Sequence, residues 1–321
     1  MTRVAAIIVS YRSGPHLERC LAALDRQTTK PAQIVVVDNE GILDAARLRC
    51  STGIALKLLR PATNTGFAAG NNLGVRACAD HEWIALINPD AIAAADWLER
   101  LLDAARKTPG VACFASRMLQ DGRRERLDGA GDAYHASGLA WRRGYGAPAT
   151  GGDYDTPREV FSACAAAALY RRDAFEAVGG FDEDFFCYLE DVDLGFRLRL
   201  AGHRFLYVPA AVAYHVGAAS TGKNSDFAVY HGHRNLVWTY VKNMPGVLFW
   251  IYLPYHVTVN AFTAVWYGFK GRWRVILRAK WDAIRGLPKM WRKRREIQAK
   301  RVASAWEIRK MMDKGWPCWR R

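Results

Sequence analysis

Over its first hundred residues the chain alternates short, unbroken apolar runs with amphipathic stretches. The run 4–10 (Val-Ala-Ala-Ile-Ile-Val-Ser) predicts a strand, and 15–27 carries helical spacing. A β-branched run over 34–37 ends at Asp38-Asn39, and a weaker strand is expected over 55–59. The Gly/Asn-rich stretch Asn64-Thr-Gly-Phe-Ala-Ala-Gly-Asn-Asn72 reads as a loop, with a helix after it. The strand over 83–87 then ends at Asn88-Pro-Asp90. Strand–helix alternation with polar residues at strand ends predicts an α/β fold with a mostly parallel sheet and ligands at its carboxyl edge. The Gly/Arg-rich section 121–157 shows no period and is expected to form long loops or a short hairpin beside the site. A second apolar run covers 160–170.

The stretch 181–197 (Phe-Asp-Glu-Asp-Phe-Phe-Cys-Tyr-Leu-Glu-Asp-Val-Asp-Leu-Gly-Phe-Arg) sets six carboxylates among aromatic residues. Charged groups rarely enter an apolar setting unless they are paired or used. A helix is expected from Glu190, terminated near Gly202, with acids in its first turn suiting the helix dipole. At about 100° per residue, Glu190, Asp193 and Arg197 share one face and Asp191 points elsewhere. That separation can hold a lone base at the mouth of a cleft. The plainer alternative is a capped helix with a surface ion pair.

Beyond Arg234-Asn235 the pattern changes. Residues 247–269 form 23 positions without a formal charge, interrupted by Pro254, His256 and Asn260. The length would span a bilayer, but the interruptions and basic flanks favour a re-entrant or interfacial segment. The segment 273–319 mixes Trp and Leu with clusters such as Arg292-Lys-Arg-Arg295, the composition of helices on anionic membrane surfaces. Nucleic-acid binding is the weaker rival, because an apolar 23-mer precedes the basic cluster. Charge sharpens this division. The net charge is +15, and 18 Lys/Arg against 4 Asp/Glu from Lys270 onward carry +14 of it. The seven scattered cysteines, never in C-x-x-C spacing, argue against a disulfide framework or a zinc site and fit a reducing cytoplasm. The N-terminal run reads as a strand rather than a signal peptide.

Three acids at the ends of elements, with one histidine, carry the candidate chemistry. Asp38 can accept hydrogen bonds from a base or ribose. Asp90 can offer oxygen to a hard cation bridging a diphosphate, and Asp191 can accept a proton. His215, in Ala-Tyr-His-Val-Gly, can complete the cation site or touch phosphate. Each also has a plain reading: a turn at Asp38-Asn39, a helix cap at Asp90 before 91–102, and a core histidine at 215. A dinucleotide dehydrogenase is disfavoured because no G-x-G-x-x-G follows the first strand, and a P-loop is absent. A glycoside hydrolase would need neither this sheet nor the basic segment.

A series of short motifs resembles the inverting family 2 glycosyltransferases of GT-A fold, most closely the bacterial rhamnosyltransferase-like branch. The series is Ile8-Val-Ser-Tyr11, Val35-Val-Val-Asp-Asn39, the Asn64–Asn72 stretch, Leu86-Ile-Asn-Pro-Asp90, Arg171-Arg172, Gly179-Gly-Phe-Asp-Glu, Glu190-Asp-Val-Asp-Leu194, His215-Val-Gly217 and Arg234-Asn235. They fall in the family's order over about residues 4 to 240. The resemblance implies a GT-A domain over 1–240 and a basic, aromatic-rich helical membrane-associating region over 241–321. It implies Asp191 as catalytic base with Glu190 as runner-up, and Asp38 at the nucleobase. Ser10, Tyr11, Asn64, Gly66, Asn71, Asn88 and Arg234 would bind the donor. Asp90 and His215 would hold a divalent cation (Mg2+ or Mn2+). Two departures stand out: the D-x-D element is reduced to Asn88-Pro-Asp90, and the family's Gly-Ala reads Ala163-Cys164. The expected activity moves a sugar, with L-rhamnose from dTDP-rhamnose the first choice, from a dTDP- or UDP-sugar to a lipid-linked or polysaccharide acceptor of the cell envelope. The expected place is the cytoplasmic face of the bacterial inner membrane, against an anionic surface, with no nucleic-acid partner. The alternative is a non-catalytic nucleotide-sugar or membrane-surface binding protein of the same fold.

Overall fold

A computed structural model describes residues 3–45, 48, 50, 52–217 and 225–315. Met1, Thr2 and the end of the basic segment, with Cys318 and Trp319, lie outside the described residues. The first half supplies β1 (Val4–Ser10), α1 (Pro15–Asp25), β2 (Gln33–Asp38), β3 (Ala55–Leu59), α2 (Gly66–Arg76) and β4 (Trp83–Ile87). These are followed by β5 (Ala91–Ala93), α3 (Trp97–Lys107), β6 (Val111–Gln120), β7 (Arg123–Ala130), β8 (Asp132–Tyr134) and β9 (Ala140–Arg142). Next come β10 (Arg158–Glu159), β11 (Ala167–Arg171), α4 (Arg172–Ala177), α5 (Glu190–Leu200) and β12 (Arg204–His215). The chain closes with α6 (Asp226–Asn243), α7 (Gly246–Phe269), α8 (Trp273–Arg285), α9 (Leu287–Ala299) and α10 (Ala305–Met311).

The central sheet runs β10-β12-β6-β11-β4-β1-β2-β3, with β5 on β12 and β7 on β6. β3, β2, β1 and β4 are mutually parallel, and β6 and β12 point the same way because β11 pairs antiparallel to both β4 and β6. The ends of β1, β2, β4 and β12 therefore share one edge. Alternate residues of β1 feed opposite layers. Val4, Ala6 and Ile8 pack with α1 and α3, while Ala5, Ile7 and Val9 pack with α2, α4 and α5. Burial on both faces is why this strand reads as a continuous apolar run. A third apolar cluster joins α5 and the β8 region to α6–α10.

Two expectations change. The Asn64–Asn72 stretch is mostly helix, since α2 begins at Gly66 and its small residues lie against β1. The helix expected over 91–102 is instead the short strand β5 followed by α3, so Asp90 caps no helix. Over 121–157 the expected short hairpin beside the site is present as β8–β9, with β7 before it. Over 247–269 the segment is helical as α7, with Pro254 inside it. Among the described residues no helix is long and apolar enough to cross a membrane.

Candidate active site

A cavity of about 670 Å³ opens at the shared strand edge. Tyr11 borders it beyond β1, Asn39 beyond β2, Asn88 and Asp90 beyond β4, and His215 at the end of β12. Glu190 and Asp191 reach the same cavity from the first turn of α5.

Asp191 is held in a defined direction. Its Oδ2 accepts the Ala165 N–H at 3.2 Å and its Oδ1 the Val192 N–H at 2.8 Å. Burial pushes its carboxyl above the ordinary value, while the Ala165 and Val192 amides and the Arg142 guanidinium pull the other way. Burial and then the Asp191 charge hold Glu190 well above its ordinary value, and its Oε2 makes no hydrogen bond. Two carboxyls side by side with unequal stabilisation are suited to different protonation states. The expectation that Glu190 joins Asp193 and Arg197 is corrected. Asp193 alone pairs with Arg197, at 2.8 Å, and Asp193 also meets Lys242 of α6 at 2.7 Å.

His215 and Asp90 form the second group. His215 Nδ1 donates to Asp128 at 2.8 Å, and Nε2 stands 3.4 Å from Asp90 Oδ1 without forming a hydrogen bond. Burial lowers the histidine's proton affinity, but Asp128 and Asp90 outweigh it and leave the pKa raised. His215 Nε2 and the Asp90 carboxylate border the same cavity, and a nitrogen and an oxygen so placed are donor types that could hold a divalent cation. Among the described residues no group of three or more His, Cys, Asp or Glu could hold a metal ion. Asp90 and His215 are therefore the two described residues that could hold a cation, with too few protein donors between them to hold it alone.

Other predicted residues are placed differently. Asp38 is buried, accepting the backbone N–H groups of Glu40, Gly41 and Leu43, so it shapes the loop after β2 and does not border the cavity. Its neighbour Asn39 reaches the cavity instead. Ser10 hydrogen-bonds Ser13, and Asn71 donates to the Phe67 carbonyl within α2; neither borders the cavity. Asn64, Gly66 and Asn88 do, and the Asn88 Oδ1 is buried without a hydrogen bond. Gly66 has φ +76, and a Cβ there would lie 2.6 Å from the Phe186 carbonyl. Its smallness lets the N–H groups of Phe67 and Ala68 reach that carbonyl at 2.7 and 3.2 Å. Arg234 is corrected most. It donates to the carbonyls of Asp184 and Phe185 and lies over Trp238, so it holds the loop before α5 and does not border the cavity.

Sequence reasoning missed Arg142, Asp132 and Asp128. The β8–β9 register sets Asp132 opposite Arg142, both border the cavity, and Arg142 pairs with Asp128. Burial and then the Asp191 charge raise the Asp132 carboxyl well above its ordinary value. The only signal for this hairpin was an acid and a basic residue in a Gly-rich stretch, which is not specific.

The loop 186–189 also escaped notice. Phe186, Tyr188 and Leu189 all have positive φ, near 64–68°. Such backbone persists only where its surroundings hold it. Here the Asn235 amide of α6 donates to the carbonyls of Phe185, Cys187 and Tyr188 at 2.7–3.0 Å. Lys242 and Lys293 both meet Asp182 at 2.5 Å, and Lys289 and Lys293 meet Asp184 at 2.6 and 2.7 Å.

Strand order and strand-edge cavity together define a GT-A glycosyltransferase. Residues 2–243 match the family described as Glycosyltransferase like family 2, and the chain belongs to that family. It is 32% identical over 257 residues to N-acetylglucosaminyl-diphospho-decaprenol L-rhamnosyltransferase of Mycobacterium tuberculosis, covering 72% of this chain and 82% of that one. The fold is similar to mannosyltransferase PcManGT from Pyrobaculum calidifontis, solved in complex with GDP-Man and Mn2+. That match has TM-score 0.54 and 19% identity, over 93% of this chain and 84% of the other. It is also similar to GalNAc-T7 with UDP, GalNAc and Mn2+, at TM-score 0.59 and 16% identity, over 74% of this chain and 47% of that structure.

Proposed function

We propose that this glycosyltransferase moves L-rhamnose from dTDP-rhamnose, with inversion, onto a lipid-linked acceptor in cell-envelope glycan synthesis. The observation that carries the chemistry is that Asp191 borders the same cavity as Asp90 and His215. The relative's printed activity supports the sugar and the class of acceptor. Asp191, aimed by two backbone N–H groups, accepts the proton of an acceptor hydroxyl. The hydroxyl oxygen attacks the anomeric carbon in line with the departing nucleoside diphosphate. Glu190, kept protonated by burial beside Asp191, adds no second charge next to the base. Arg142, facing Asp191 across the cavity lining, steadies its carboxylate form. Asp90 and His215 would hold a divalent cation, which neutralises charge on the leaving diphosphate.

The reading extends to the membrane. Trp250, Ile251, Phe262, Val265, Trp266 and Phe269 of α7 and Trp273, Leu277, Trp281 and Ile284 of α8 are exposed large apolar residues. Together with the basic residues around them they favour docking on the anionic cytoplasmic face of a bacterial inner membrane, peripherally, where a polyprenyl-linked acceptor lies. The deciding experiment assays transfer from dTDP-rhamnose to an N-acetylglucosaminyl-diphospho-lipid by wild type and Asp191→Asn. Product from the wild type alone, with donor binding kept in the variant, is the expected result. Full activity in the variant removes Asp191 as base, and wild-type turnover only with another nucleotide sugar removes rhamnose.

A further inference from the structure

A second cavity, of about 380 Å³, lies in the C-terminal helical layer and shares no residue with the first. Its lining is Gly246 at the start of α7, Trp291, Arg294, Arg295 and Gln298 of α9, and Arg301 beyond it. Three arginines thus line one space. Among the described residues no carboxylate forms an ion pair with any of them. Arg294 is buried, its Nη1 donating to the Val241 and Met244 carbonyls at 3.0 and 2.5 Å, and it stacks over Phe249 and Trp291. Carbonyls fix its position but leave its charge uncompensated. Burial, and the neighbouring Arg301 charge against only Tyr240, draw its pKa below the ordinary value. Like charges gathered at a cavity without a counter-ion repel, and a phosphate group is the anion whose geometry guanidinium forks match.

The neighbouring stretches of chain point to the source of that phosphate. Val247, Trp250 and Ile251 follow Gly246 on α7 and are exposed, as are Val302 and Trp306 beyond Arg301. Exposed apolar and aromatic side chains next in the chain to the residues of a cationic pocket suit insertion beside a lipid headgroup. We infer that this cavity seats the phosphate headgroup of an anionic phospholipid and so fixes how the enzyme sits on the membrane. The inference rests on the proposed membrane docking.

The test uses the full chain and two variants that remove the same charge. Arg295→Gln/Arg301→Gln empties the cavity's accessible guanidiniums and leaves the buried Arg294. Arg274→Gln/Arg285→Gln does so on α8, where both residues are exposed. Sedimentation is measured with phosphatidylcholine vesicles and with vesicles also containing phosphatidylglycerol. The expected result is that the cavity variant loses about tenfold more affinity for the phosphatidylglycerol vesicles than the α8 variant. Equal losses would mean that only overall charge matters and would overturn the site. Thermal shift with inorganic pyrophosphate separates the sources. Stabilisation of wild type that the cavity variant lacks, without selective vesicle binding, assigns the cavity to a free phosphate and overturns the lipid headgroup. If wild type sediments with neither vesicle, the membrane reading itself fails; a cavity-dependent pyrophosphate shift then keeps a phosphate site, and no shift overturns it.

Discussion

The wall of the cavity that carries Asp90 and His215 is set by strand ends, and the wall that carries Asp191 by a loop and helix start. The first is positioned by parallel backbone pairing and by the two apolar layers that sandwich β1, β2 and β4. The second is positioned by polar side chains arriving from α6 and α9, some 50 to 110 residues further along the chain. Backbone pairing is insensitive to most single side-chain changes, whereas a left-handed loop tied by Asn235, Lys242 and Lys293 depends on each tie. Substitutions distant from the chemistry should therefore disturb the base and spare the strand-edge side.

The largest test of this contrast is Asp191→Asn. Transfer should fall about 10²- to 10⁴-fold while calorimetry finds donor affinity unchanged. Asp90→Asn should instead weaken donor and cation together, and EDTA should lower wild-type turnover by a comparable factor, since the cation would carry several kcal/mol of charge stabilisation. Undiminished turnover in EDTA would remove Asp90 and His215 from that role. Next in size is Lys242→Met. Lys242 and Asp193 are fully buried, and removing one partner of a buried ion pair costs about 3–5 kcal/mol, readable in urea denaturation. Lys293 is partly exposed, so Lys293→Met should cost little stability. It should still lower kcat about tenfold with donor KM unchanged, because the loop before Asp191 loses a tie. If donor KM rises and kcat holds, the two walls are not independent.

The smallest expected effect is a separation in pH. Asp191 has a raised pKa, chiefly from burial, so lowering the pH protonates the base above the ordinary carboxylate range of about 3.9. Asp182 and Asp184 are the reverse. Burial raises each, but Lys242 and Lys293 around the first and Lys289 and Lys293 around the second outweigh it, leaving both lowered. A carboxyl lowered in the folded state contributes stability above its unfolded pKa, and that stability is lost only as pH falls through the folded value. Activity should thus decline on acidification while the near-ultraviolet circular dichroism stays native. Simultaneous loss would mean that the ties titrate with the base.

The legibility of the chain follows the same division. Apolar runs ending in Asp38-Asn39 and Asn88-Pro-Asp90 located β2, β4 and the strand edge, because a strand buried on both faces must be apolar and its end must turn polar. Asp38, expected at the nucleobase, accepts N–H groups of its own loop, a use of a strand-end carboxylate that the sequence does not distinguish from ligand binding. Arg234 was expected among the donor-binding residues, and its partners include two carbonyls near residue 185. A short hairpin was expected within 121–157, but its strands could not be located because strands of three residues carry too little period.

By itself the sequence determined the first four strands, the carboxyls at strand and helix ends and the basic, aromatic-rich C-terminal portion, since all of these are local patterns of side-chain type. Only the tertiary structure decided which acid faces the cavity, which arginine joins it, and that α6 and α9 hold the loop before Asp191 in place. Those outcomes depend on burial and on partners far away in the chain, and a charged residue looks the same in sequence whether it binds substrate or a backbone carbonyl.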